Sequence, residues 1–99
     1  MLVEIRFSPA MAEAAVGGWK CCTTRGRDLG RRGDEFTIAG VRFRIVQVLR
    51  GTLPEVRDML HEAEGFATPA DFEGTWRSLH RGHFPTGIDY WIYFFARCP

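Results

Sequence analysis

The stretch Gly18-Trp19-Lys20-Cys21-Cys22-Thr23-Thr24-Arg25 decides how this chain is read. It holds Lys20, the single lysine among thirteen basic side chains, the other twelve being arginines. An amine can release its proton at an accessible pKa and a guanidinium cannot, so Lys20 marks a position where arginine would not serve the same chemistry. A hydroxyl (Thr23) and a guanidinium (Arg25) follow at short spacing. Working upstream, Ser8 can cap a helix, Pro9 suits its first turn and Gly17-Gly18 gives a permissive end, which places Lys20 just beyond a short helix. Before that helix, Val3, Ile5 and Phe7 alternate with Glu4 and Arg6 as in a half-buried strand.

Downstream, the pattern predicts a short strand over Cys21 to Arg25 and then a glycine- and arginine-rich loop to Arg32, ended by Gly33-Asp34. Phe36 and Ile38, the turn Ala39-Gly40, and Val41, Phe43 and Ile45 predict a β-hairpin whose second strand runs on through Val48. Thr52-Leu53-Pro54-Glu55 and Thr68-Pro69-Ala70-Asp71 each place a hydroxyl three residues before an acid, the signature of a helix start. The first helix carries Leu53, Val56, Leu60 and Ala63 on one face and the second Phe72, Trp76 and Leu79, with Gly65 ending the first. Ile88 to Arg97 is apolar on nearly both faces, which puts it at the centre of a sheet. With strands at both ends of the order, the last is expected to close the sheet that the first opens, with the helices outside.

At 99 residues, 45% apolar and 25% charged, the chain fits one domain over 1–99 with one ordinary core. No apolar run approaches a membrane span, and Met1 to Phe7 is too polar for a signal-peptide core. Cys21 and Cys22 are neighbours, and no C-x-x-C spacing serves zinc or redox work, so reduced thiols, a cytoplasmic location and no metal or cofactor are expected. A net charge of +1 gives no field for nonspecific binding along a nucleic acid, so any polyanion contact must be local. Arg25, Arg27, Arg31 and Arg32 supply such a locality, with Asp28 as the one acid among them. A monomer or weak dimer is the expected state.

The pattern G-x-K-x-x-T-x-R over Gly18 to Arg25 resembles the signature of the ASCH family. Arg6-Phe7-Ser8-Pro9 ahead of it, Gly33-Asp34 before the hairpin, Ala63-Glu64-Gly65-Phe66 before the second helix and the aromatic last strand extend the resemblance over nearly the whole chain. It implies an α+β fold, a PUA-like small β-barrel of about five to six strands with flanking helices. It also implies a cleft lined by the motif and a role in RNA or nucleoside metabolism, with RNA or a small nucleoside as partner. One compact branch of the family hydrolyses N4-acetylcytidine through a lysine, a threonine and a glutamate, which correspond to Lys20, Thr23 and Glu64, with Glu62 as the alternative acid; a ribonuclease is the other enzymatic option.

The residue types suit amide hydrolysis on their own terms. A threonine hydroxyl attacks only when a neighbour withdraws its proton, which an amine does once burial or a nearby cation such as Arg25 has lowered its pKa. A carboxylic acid then protonates the leaving nitrogen. The competing reading makes Lys20 and Arg25 solvated charges at a helix exit and Thr23 a plain strand residue. A second function is RNA contact, with Arg27, Arg31 and Arg32, helped by Arg42 and Arg44, on phosphates and Trp19 or Trp91 stacked on a base; against it stands a mobile solvated loop. A third is a protein-interaction domain without catalysis. His61, His80 and His83 are read as surface or cap residues, and Phe72, Trp76, Phe94 and Phe95 as core.

Overall fold

A computed structural model describes residues 1–99. Three helices, α1 (Pro9–Gly17), α2 (Leu53–Met59) and α3 (Pro69–Leu79), accompany four strands, β1 (Cys22–Arg25), β2 (Glu35–Ile38), β3 (Val41–Gly51) and β4 (Tyr90–Arg97). The strands form one curled antiparallel sheet, a half-barrel, in the order β1-β4-β3-β2. No helix is long and apolar enough to cross a membrane.

Local chemistry explains the elements. Ser8 Oγ accepts from the Met11 N–H at 3.3 Å, Pro9 opens α1 and Gly18, at φ 93°, closes it. Thr52 and Glu55 form a reciprocal capping box on α2, and Thr68 caps α3 through the Asp71 N–H. Ala39 and Gly40, at φ 49° and 80°, make the left-handed two-residue turn that the β2–β3 hairpin requires. A bulge between Ile45 and Gln47 bends β3 and helps curl the sheet.

β4 is central, as its apolar faces require, because its alternate side chains feed two cores. Tyr93 and Phe95, with Trp91 beside them, pack with Ile5, Ala15, Phe36, Ile38, Phe43 and Ile45 on the α1 side. Ile92, with Tyr90 and Phe94, packs with Cys22, Leu53, Val56, Phe72, Trp76 and Phe84 on the α2–α3 side. A strand between two dry layers has no solvent face to pattern.

The N-terminal segment departs from expectation. Residues 3–7 do not form a ladder strand; one parallel bridge, Leu2 to Glu35, and hydrogen bonds of 2.8 Å between Val3 N–H and Glu35 O and between Glu35 N–H and Met1 O tie this end to β2. The last strand pairs with β1 and β3 instead of with the first segment, and the sheet has four strands, fewer than the five to six expected. Pairing with β2, itself four residues long, leaves too little edge for a longer ladder. β1 consequently remains a free edge.

Candidate functional site

The free edge of β1 is where the candidate side chains gather. Along a strand, alternate side chains point to opposite faces, so Thr23 and Arg25 lie on the α1 side of β1 and Cys22 and Thr24 on the α2–α3 side. An open cavity of about 570 Å³ straddles that edge. Its walls are Arg6, Phe7, Ser8 and Met11 from the α1 side, Glu64, Phe66 and the inner face of α3 from the other, and Lys20, Thr23, Thr24 and Arg25 between them.

On the α2–α3 side a buried ion pair anchors the floor. Lys20 Nζ donates to Glu64 Oε1 at 3.0 Å and to the Glu64 backbone carbonyl at 2.9 Å. Thr24 Oγ1 donates to Glu64 Oε2 at 2.6 Å, so both carboxylate oxygens are engaged. An ammonium has three donors; two are used here, and the third carries no bond. Gly65 makes the approach possible, for at φ +96° it turns the chain, and a Cβ there would lie 3.2 Å from Lys20 Cβ. Burial, reinforced by the Glu64 charge, pushes the Cys22 thiol up beyond any working thiolate range.

On the α1 side, Arg25 Nε and one terminal nitrogen donate to Thr23 Oγ1 at 3.1 and 3.0 Å. Both acceptor positions of that hydroxyl are thereby filled and its own proton is left to give. Arg25 lies over the Phe7 ring, 5.0 Å from its centroid. Burial draws its guanidinium below its ordinary pKa, with Glu64 and then Tyr93 pulling the other way.

Lys20, Thr23, Arg25 and Glu64 therefore border one cavity, but as two hydrogen-bonded groups, Lys20–Glu64–Thr24 and Thr23–Arg25. Lys20 and Thr23 share no hydrogen bond. Glu64 is the buried acid of this segment and Glu62 is exposed. Trp19 is 55% exposed and folds back over Gly17, its ring taking the place where a Cβ there would stand. Trp91 lies under Arg50, 3.8 Å from guanidinium to ring centroid. Arg27, Arg31 and Arg32 line no part of the cavity. Their loop is pinned, since Tyr93 Oη accepts from the Leu29 N–H at 2.6 Å and donates to the Arg27 carbonyl at 3.3 Å.

Several wall residues escaped the sequence reading. Phe72 and Trp76 are core residues, as expected, and their other edges face the cavity with Phe66, Leu79, His80 and Tyr90. Trp76 stacks on His80 at 4.2 Å and meets Tyr90 edge-on at 5.3 Å. Its indole N–H is the one buried side-chain donor without a partner. The i, i+4 spacing of Trp76 and His80 was the available signal; Thr24 was legible only as the strand neighbour of Thr23.

No protein-family model matches the sequence and no curated protein matches it. Solved structures do. An ASCH domain from Lactobacillus crispatus JV V101 superposes at a TM-score of 0.71 with 12% identity, covering 97% of this chain and 77% of the other. The chain has the ASCH, PUA-like fold. A mutant ASCH protein of Zymomonas mobilis gives a TM-score of 0.65 at 14% identity over 95% of this chain and 68% of that one. A DUF984 protein of Enterococcus faecalis V583 gives 0.65 at 15% over 90% and 67%. Lys20, Thr23 and Arg25 of the Gly18 to Arg25 segment line the cavity at the β1 edge.

Proposed function

We propose that this ASCH-fold protein binds a nucleobase or nucleoside, free or within RNA, in the cavity at the β1 edge. One observation carries the reading: buried polar groups of three kinds, an ammonium, a carboxylate and hydroxyls, meet an aromatic wall across a single cavity. Its volume of about 570 Å³ suits a ligand of that size, and sites of this kind combine mostly apolar walls with a few fixed polar groups. Phe66, Trp76 and Tyr90 offer faces and edges to a planar base. The spare donor of Lys20 and the proton of Thr23 meet acceptors on its edge.

The test is a thermal-shift screen of the four ribonucleosides and N4-acetylcytidine, followed by calorimetry on any compound that raises the midpoint. At least one is expected to do so, and the rise should vanish in Trp76→Ala. A protein indifferent to all five compounds would remove the proposal.

A second reading has a specific observation in its favour, the engagement of Glu64 by Lys20 and Thr24 beside the Thr23 hydroxyl, whose own proton is left to give. In it the protein hydrolyses N4-acetylcytidine to cytidine and acetate. As Arg25 releases Thr23 Oγ, the freed lone pair attacks the acetyl carbon, and the Thr23 proton passes to Lys20, whose own proton Glu64 has taken. Glu64 then protonates the departing N4, and water releases acetate from Thr23. Lys20 and Thr23 connect only when ligand or water completes the site, as is common for unliganded catalytic groups. Lys20→Arg keeps the charge and removes the titratable amine; cytidine release is expected to fall by about 100-fold or more. Undiminished release in that variant would discard the reading while leaving nucleoside binding intact.

A further inference from the structure

Arg25 is a half-buried cation without an acid. Every salt bridge in the molecule belongs to other groups, and Arg25 has no carboxylate within 4.0 Å; its hydrogen bonds go to the neutral Thr23 hydroxyl. Removing a charge from water without a counter-charge is costly, and folded proteins as a rule supply the partner. Here the chain supplies none, and Glu64, the acid whose charge acts on Arg25, is committed to Lys20 and Thr24.

A smaller cavity of about 180 Å³ adjoins the main one and shares Arg6, Arg25 and Gly26 with it. Its remaining lining is Glu4, Arg27 and Leu29. Three arginines thus border one small space. The single acid there, Glu4, is taken up by Arg6 through a 2.7 Å bond from Nε, and Arg27 has no acid partner. Arg25 is the hinge between the two spaces: Nε and one terminal nitrogen hold Thr23, and its other terminal nitrogen carries no bond. Arginines converge in this way on planar or tetrahedral oxyanions, above all phosphate. A base and a phosphate separated by one ribose fit a large aromatic cavity joined to a small cationic one.

Resting on the nucleobase reading above, we infer that the small cavity lined by Arg6, Arg25 and Arg27 is a phosphate subsite, so that the ligand is a phosphorylated nucleoside unit. The phosphate comes either from a free nucleotide or from the backbone of single-stranded RNA. Arg31 and Arg32 have no part in it.

The experiment compares, by calorimetry at low salt, the four ribonucleosides, their 5′- and 3′-monophosphates, and trinucleotides carrying each base at the centre. For whichever base binds, a phosphorylated form is expected to bind at least about tenfold more tightly than the nucleoside, the increment of one or two charge-assisted hydrogen bonds. That ratio should fall toward one in Arg6→Ala/Arg27→Ala, whose side chains are exposed and whose loss leaves the core untouched, and should persist in Arg97→Ala on β4. Preference for a monophosphate over the trinucleotide assigns the phosphate to a free nucleotide, and the reverse assigns it to RNA. Equal affinity of nucleoside and phosphorylated forms overturns the subsite and spares the base pocket. A ratio unchanged in the double variant overturns it as well. No binding by any compound overturns both readings together.

Discussion

Lys20 and Glu64 form an ion pair whose side chains are 2% and 5% exposed, whereas Arg57, Glu73 and Arg77 tie α2 to α3 with side chains 26% to 45% exposed. The chemistry is the same and the surroundings are opposite. In the exposed network, water and salt screen each charge, and its geometry is set by two helices already packed through Val56 and Phe72. In the buried pair each charge has been stripped of water, and its attraction and hydrogen bonds roughly repay that cost without a clear surplus. Well-packed apolar side chains would fill the same space with equal stability. On that balance the fold has no need of Lys20 and Glu64 as an ion pair, and the proposed function is what would give the pair a role on the cavity floor.

The largest expected effect breaks the buried pair on one side. Lys20→Met leaves a carboxylate uncompensated and is expected to lower stability by on the order of 3–5 kcal/mol, read as a shifted urea midpoint at constant slope. Lys20→Met/Glu64→Leu should recover most of that loss while nucleoside binding stays absent. A double variant as unstable as the single one would show that the pair holds the fold together after all.

Next in size comes the contrast between adjacent threonines. Thr24→Val removes a charge-assisted bond to Glu64 and is expected to cost about 1.5–3 kcal/mol. Thr23→Val frees only Arg25, which can turn to water, so its stability should change by less than about 1 kcal/mol while ligand affinity or turnover falls. Reversal of this order would mean that the two groups at the β1 edge have been assigned to the wrong roles.

The thiols sharpen the same contrast without altering a charge. Cys21 is exposed and Cys22 buried, and the Cys22 thiol is raised by burial and by Glu64. Alkylation at pH 8 followed by peptide mapping should label Cys21 and leave Cys22 until the protein unfolds. Early labelling of Cys22 would show that the pair's surroundings open to water in the native state.

The smallest effect belongs to the exposed network. Arg57→Ala should shift the urea midpoint by a small fraction of the Lys20→Met change, and the shift should depend on pH. Hydrogen bonds from Arg57 and then Arg77 hold the Glu73 carboxyl below its ordinary 4.5, and Arg57 does the same to Asp58. A carboxyl lowered in the folded state contributes fully above its unfolded pKa and loses that contribution as pH falls through the folded value. The gap between wild type and Arg57→Ala should therefore be constant near neutrality and narrow as pH drops below 4.5. A gap that widened on acidification would point to another group.

Much of the fold was legible because its signals are local. Helix starts at Ser8, Thr52 and Thr68 rest on a hydroxyl reaching an amide three residues on, and the Ala39-Gly40 turn on two left-handed residues; neither depends on the rest of the chain. Val3 to Phe7 misled for the complementary reason. Its alternation reports only that one face is buried, here through Ile5 and Phe7, and the same pattern serves an extended segment with a single bridge.

By itself the sequence determined the identity of the polar groups, the helix that delivers Lys20 to the start of β1, and the centrality of β4, since these follow from side-chain chemistry and short-range periodicity. Only the tertiary structure decided that Thr23 and Arg25 share a cavity with Lys20, Thr24 and Glu64. Strand alternation sends those two sets to opposite faces of a sheet, and they meet because β1 ends the strand order, so that a cavity can pass around its unpaired edge. Strand order is a property of the whole chain's packing, which no local pattern encodes.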